Sequence, residues 1–251
     1  MTGIKIKTAE EIEKIRQACR IVARALKLTG KEVQPGVTTE YLDSFAERLI
    51  REEGADPVFI GYRGYRHATC MSVNEEIVHG IPGNKVLKEG DIIGVDIGSK
   101  FAGYCGDTAA TFPVGEVSKK VAKLLKTGQE ALIAGIRQAR AGNHLGDVSA
   151  AVQKVAESKG YSVVRELYGH GIGADLHEDP LVPNFGRPGE GIELKEGMVL
   201  AIEPMLNLGG WQIRTLSDGW TIVTADKSLS CHFEHTVLIT GKGPEILTRR
   251  D

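Results

Sequence analysis

Two ten-residue stretches of this 251-residue chain share a pattern that ends in an acid. "KEGDIIGVDI" runs from Lys88 to Ile97 and "KEGMVLAIEP" from Lys195 to Pro204; each reads Lys-Glu-Gly, four positions, an aliphatic residue and then a carboxylate, Asp96 in the first and Glu203 in the second. An ionised carboxylate at the end of an apolar strand needs a partner, a proton or a metal. Each stretch is followed by a further acid close to a threonine, Asp107 in "CGDTA" and Glu234 in "FEHTV". Each half also carries a His-Gly-Ile, with His79 in "VHGIP" and His170 in "GHGIG". One acid at a strand end is ordinarily a solvated rim residue. The same two acids and a histidine recurring in both halves are a duplicated polar site. Four converging carboxylates would repel one another strongly at low dielectric, and two divalent cations balance their charge. A carboxylate-rich set with one neutral imidazole suits Mn, Fe(II), Co or Zn, and two close metals can activate a shared water.

The elements that must position these groups follow the same duplication. Thr8 and Glu11 form a capping box, and Ile12, Ile15, Cys19, Val22 and Leu26 continue at helical spacing until near Gly30. "PGVTTEYLDSFAERLIREEG" supplies a second helix with Leu42, Phe45, Leu49 and Ile50 on one face and Gly54 as its stop. Strands are expected over 69–78, 91–98 and 101–112, with a turn around Lys100 to Gly103 that brings Asp96 and Asp107 to adjacent positions. A second helix pair, Ser118 to Ala141 and Asp147 to Ser158, then precedes strand-like runs at 163–167, 198–203, 220–224 and 232–239. No linker or low-complexity segment intervenes. The sequence therefore predicts one α+β domain over 1–251 with internal pseudo-twofold symmetry, its halves about 8–115 and 118–240.

The net charge of −2 gives no footprint for nucleic acid. No apolar run reaches membrane-spanning length, and the N-terminus becomes charged too early for a signal peptide, so the expected location is the cytoplasm. Cys19, Cys70, Cys105 and Cys231 have no metal-binding or disulfide spacing and read as free, buried thiols. "GHGIG" is not a dinucleotide loop, because no helix follows it before Pro180, and His177-Glu178 lacks the second histidine of a zincin helix.

The segments "GYRGYRHATCMSVNEEIVHGIP", "DIGSKFAGYCGDTAATF", "HGIGADLHEDP", "AIEPM" and "DGWTIVTADKSLSCHFEHT" occur in order and at the spacing of the bacterial type I methionine aminopeptidases, which the chain resembles over essentially its whole length. The resemblance implies the pita-bread fold and a dimetal centre on Asp96, Asp107, His170, Glu203 and Glu234. Asp107 and Glu234 would bridge the metals, Asp96 would hold one, and His170 with Glu203 the other. It implies hydrolysis of the first peptide bond of proteins that begin with Met and have a small second residue, by a bridging water made acidic by the metals. Glu203 would shuttle the proton, His79 would contact the scissile nitrogen, and His177 the carbonyl oxygen. Phe59, Tyr62, Tyr65, Cys70 and Trp220 would wall the methionine pocket, where a thioether gains from aromatic neighbours. Cys70 has no base to make it a nucleophile. The implied partners are Met-initiated peptides and nascent proteins near the ribosome, and the implied state is a monomer.

The chain departs from the common family pattern at Ala174, Asp175 and Leu176, where an arginine and a bulky residue are usual, and at Phe59, where many relatives have cysteine. These changes predict a wider rim and a relaxed second-residue rule. Two other functions compete. A proline-specific or creatinase-like relative would carry a large extra N-terminal domain, and a metal-free binding protein on the same scaffold would lack one or more of the five ligands.

Overall fold

Thr8 closes the cap predicted for it. Its Oγ1 accepts from the Glu11 amide at 3.3 Å while the Glu11 carboxylate accepts from the Thr8 amide at 2.8 Å, and helix α1 (Ala9–Glu32) follows. This computed structural model describes residues 3–250, so residues 1, 2 and 251 of the expected domain lie outside the described residues. Helix α1 buries Ile15, Ala18, Cys19, Val22 and Leu26 against the hairpin formed by strands Ile92–Phe101 and Tyr104–Pro113. The approach is so close that a β-carbon at Gly106 would come within 2.6 Å of the Cys19 amide nitrogen. Helix α2 (Thr39–Glu52) starts at the Thr38 cap. Helices α3 (Lys119–Gln138) and α4 (Leu145–Ser158) pack on each other before the second group of strands. α4 begins two residues before the predicted Asp147, because that carboxylate accepts from the His144 amide at 2.7 Å and so belongs to the first turn.

The first hairpin has the predicted form. Phe101 pairs with Tyr104 across Ala102 and Gly103, whose φ values of 48° and 86° suit a tight two-residue turn. Asp96 pairs with Ala109 and Gly98 with Asp107, so the two acids are diagonal neighbours on one face. Thr69–Val73 and Asp56–Pro57 flank Ile92–Phe101 in the same sheet. A five-stranded sheet runs Gly243–Ile246, His235–Thr240, Val199–Ile202, Tyr168–Gly171, Glu178–Pro183 in spatial order. Among the described residues two smaller sheets complete the α+β architecture, and one large apolar core joins the four helices to the sheets.

Several predicted strands divide. The run 69–78 breaks after Val73, where Asn74 takes φ 60° and its side chain bonds Asp91 and the Ile92 amide; the chain resumes as Glu76–Val78 in another sheet. Of 163–167 only Val163 lies in a strand, which begins one residue earlier at Ser162, and 220–224 shortens to Ile222–Thr224. The run 232–239 splits into Ser230–His232 and His235–Thr240, with Phe233 and Glu234 between them. Tyr168–Gly171 and Glu178–Pro183 are strands that their glycines and proline concealed. Among the described residues no helix is long and apolar enough to cross a membrane.

Candidate metal centre and active site

The acids sit where one ribbon bends between two sheets. Val199–Ile202 pairs with His235–Thr240 in the five-stranded sheet, ending at Ile202 opposite His235. Met205–Asn207 pairs with Ser230–His232 in a different sheet, starting at Met205 opposite His232. Between the two ladders lie Glu203 and Pro204 on one side and Phe233 and Glu234 on the other. Proline has no amide hydrogen to give the ladder, so pairing lapses at Glu203-Pro204 and the carboxylate is free to leave the sheet. The bend is fixed to the first hairpin: the Glu234 amide donates to the Ala109 carbonyl at 2.9 Å, Thr108 Oγ1 to the Glu234 carbonyl at 2.9 Å, and Thr236 Oγ1 to the Asp107 carbonyl at 2.7 Å. The threonines near the second acid of each half thus tie the halves together at the acids themselves.

Asp107, Glu234 and His170 are buried, and each offers a donor atom within 4.8 Å of the others. His170 Nε2 lies 3.6 Å from Glu203 Oε1 and 3.9 Å from Asp107 Oδ2. Its Nδ1 is 2.9 Å from the Gly171 carbonyl oxygen, an acceptor, so Nδ1 is the donor, and a neutral ring would turn an Nε2 lone pair toward two carboxylates. Lone pair against carboxylate is repulsive unless a cation lies between. Asp96 Oδ1, Asp107 Oδ1 and Glu234 Oε1 are shut off from solvent with no hydrogen-bond partner. Without a cation, burial and the neighbouring acids push Asp107 and Glu234 well above the carboxylate range; burial, then Glu203, takes Asp96 to about 7 although His232 opposes the rise. The donor set fits divalent cations.

These groups form part of the lining of a cavity of about 320 Å³ that also contains every other predicted site residue. Phe59, Tyr65 and Cys70 are buried in its wall, with the Tyr65 and Trp220 rings 4.9 Å apart. His177 lies 5.0 Å from the Tyr62 ring and 4.2 Å from that of His170. His79, at φ 58°, meets Trp220 edge-on at 6.5 Å. Burial lowers the His79 pKa, so its ring is neutral near pH 7. The His177 pKa is lowered by the surrounding walls and then by His170; water at its exposed edge screens part of that shift. Burial and Asp96 push the Cys70 thiol well up, which leaves it unreactive.

Leu176 is buried in the pocket wall, whereas the Ala174 carbonyl accepts from Lys100 Nζ at 2.7 Å and Asp175 faces solvent. Of those three departures, only Leu176 borders the cavity. Sequence reasoning overlooked His232, whose Nε2 is 3.4 Å from Glu203 Oε2. Burial acts to lower its pKa, but the Glu203 carboxylate outweighs that and raises it. The available signal was a histidine two residues before Glu234 in an apolar strand. Leu167, Tyr168, Leu181 and Met205 also line the cavity without having been anticipated.

The model of metallopeptidase family M24 matches residues 13–241. Methionine aminopeptidase 1 of Bacillus subtilis (strain 168) is 51% identical over 243 residues, 97% of this chain and 98% of that protein. The crystal structure of methionine aminopeptidase from Thermotoga maritima has a TM-score of 0.97 and 47% identity, covering 98% of this chain and 100% of its own. Prolidase from Pyrococcus furiosus is more distant, with a TM-score of 0.80 and 25% identity, and the match covers 66% of that chain. The α+β architecture is accordingly the pita-bread fold. The chain belongs to metallopeptidase family M24 and, within it, to the type I methionine aminopeptidases.

Proposed function

We propose that this methionine aminopeptidase holds two divalent cations on Asp96, Asp107, His170, Glu203 and Glu234, and releases methionine from chains whose second residue is small. The observation that carries this reading is the meeting of three unpartnered carboxyl oxygens and His170 Nε2 at one cavity. Asp107 and Glu234 would serve both ions, Asp96 one of them, and His170 with Glu203 the other. When bound, such cations supply Lewis acidity, which acidifies a water and takes up charge developing on the scissile carbonyl oxygen.

The chain's own groups do the rest. Glu203 accepts the proton and passes it to the leaving amine, steadied by His232 on its second oxygen. His79 addresses the scissile nitrogen and His177 the carbonyl oxygen; a neutral imidazole at each position can donate an N–H without bringing a second charge. Phe59, Tyr62, Tyr65, Cys70 and Trp220 seat the methionine side chain. We assign the metal to Co, Mn, Fe(II) or Zn by donor type. We further propose a cytoplasmic monomer that acts on nascent proteins near the ribosome, the two repeated halves folding as one domain. Four buried free cysteines suit a reducing compartment.

The test is a set of Met-X peptides assayed with each metal restored in turn to metal-free protein. Met-Ala, Met-Gly and Met-Ser should be cleaved well ahead of Met-Leu and Met-Lys, with Met-Val and Met-Thr between, since a hydrophobic pocket grades substrates by about 10- to 200-fold per methylene. Equal cleavage of Met-Ala and Met-Lys would remove the second-residue rule. Efficient release of another residue from X-Ala would remove the methionine pocket.

A further inference from the structure

The segment that carries His177 is held by a charge pair outside the cavity. Glu178, the next residue, turns its carboxylate away from the pocket into an ion pair with Lys7 of the N-terminal segment; both side chains are nearly sealed from solvent, at 4% and 5% exposure. Lys5 Nζ reaches the other oxygen at 3.4 Å, and the Asp175 amide donates to that oxygen at 3.3 Å. Burial alone would raise the Glu178 carboxyl, but Lys7, the Asp175 amide and Lys5 outweigh it and hold it below its ordinary value. Lys7 is itself pinned, because its backbone amide donates to the Gly197 carbonyl at 2.9 Å.

The pair also shapes the loop before His177. A β-carbon on Gly173 would lie 2.5 Å from Lys7 Cε and 2.7 Å from Glu178 Oε1, so the ion pair rests directly on the bare glycine. From the other side Cys105 donates its amide to the Gly173 carbonyl at 2.7 Å, and Lys100 donates to the Ala174 carbonyl. His177 is thus flanked by two anchors, Leu176 buried in the pocket wall and Glu178 clamped by Lys7, while its own ring touches Tyr62 and His170. A buried pair of this kind is a poor source of net stability, since its desolvation offsets much of its attraction. Its consequence here is geometric. Two anchors on either side of one residue define where its ring can point.

We propose that Lys7 and Glu178 are positioning residues for the reaction, fixing the His177 imidazole against the scissile carbonyl through the Gly173–Glu178 loop. This rests on the assignment of His177 made above. Displacing a reacting group by about 1 Å from a distance can reduce the rate by about 100-fold.

The experiment is a double-mutant cycle on the metal-saturated protein with a Met-Ala peptide, measuring kcat and KM for wild type, Lys7→Met, His177→Ala and the pair combined. Lys7→Met should lower kcat by about 10- to 100-fold in the wild-type background, with little change in KM or metal content. In the His177→Ala background the same change should have less than about a twofold effect, because the group it positions is gone. Lys7→Arg should recover most of the rate. If Lys7→Met leaves a lone buried carboxylate and too little folded protein, Lys7→Met with Glu178→Gln removes both charges and is tested in the same cycle. Equal loss in both backgrounds, a wild-type rate for the charge-free pair, or loss of metal along with the rate would overturn the proposal. Inactive wild-type protein on every Met-X peptide would instead refute the functional reading beneath it.

Discussion

Glu203 stands between two imidazoles, with Oε1 3.6 Å from His170 and Oε2 3.4 Å from His232. The His232 ring beside Oε2 is an electrostatic partner that limits the carboxylate's orientations, as a proton carrier requires if it is to receive at one atom and deliver at another. Glu203→Gln keeps the shape and removes the basicity. It should lower kcat by roughly 100- to 10,000-fold while leaving the amount of folded protein near wild type, as judged by circular dichroism. A rate within a few-fold of wild type would exclude the shuttle role. His79→Ala and His177→Ala should each cost about two to three orders of magnitude in kcat with metal content unchanged at saturation, because neither ring belongs to the proposed ligand set. Metal loss in either variant, measured by elemental analysis, would make that histidine a ligand. Among single residues the four acids were legible because duplication printed them twice, whereas the repeat offers His79 and His170 alike and only the family resemblance singles out His170 as a ligand. His232 was not legible, because one histidine in an apolar strand has no echo in the first half.

The bend that turns Glu203 and Glu234 toward the cavity belongs to a pair of elements, and its rigidity comes from the first hairpin behind it. Helix α1 lies so close to that hairpin that Gly106 has no room for a side chain: an added methyl would meet the Cys19 amide nitrogen at 2.6 Å and the Ala18 carbonyl carbon at 2.7 Å, both backbone atoms that cannot rotate away. Gly106→Ala should therefore destabilise the fold by about 1–3 kcal/mol, read as a lower Tm. An unchanged Tm would mean that helix and hairpin separate freely. The hairpin and the helix caps were legible because their signals are local: a capping box within four residues, a tight turn at Ala102-Gly103. The breaks at Asn74 and at Phe233-Glu234 were not, since apolar residues resume within three positions of each and the division is made by partners remote in sequence, Asp91 for the first and the Pro204 bend for the second. The Lys7–Glu178 contact is invisible for the same reason, joining residues 171 positions apart in the chain.

For the molecule as a whole, the buried acids make stability depend on metal and pH together. Asp96, Asp107 and Glu234 have folded-state pKa values raised above their unfolded ones, with Asp96 near 7. The metal-free folded state therefore holds protons that the unfolded chain has already released, and the stability these groups contribute is present at low pH and lost as pH rises through their folded values. Cations bind the deprotonated acids, so they compete with protons below that range and act fully above it. The gain in Tm on adding metal should be larger at pH 8 than at pH 5. A gain independent of pH, or larger at pH 5, would mean that the metal binds elsewhere.

Anomalous diffraction from crystals of the protein loaded with Mn(II) shows whether cations sit on these five residues. Two anomalous peaks are expected in the cavity, one contacted by Asp96, Asp107 and Glu234 and the other by Asp107, His170, Glu203 and Glu234. Peaks on His79 or His177, or none among the buried carboxylates at saturating metal, would contradict that arrangement.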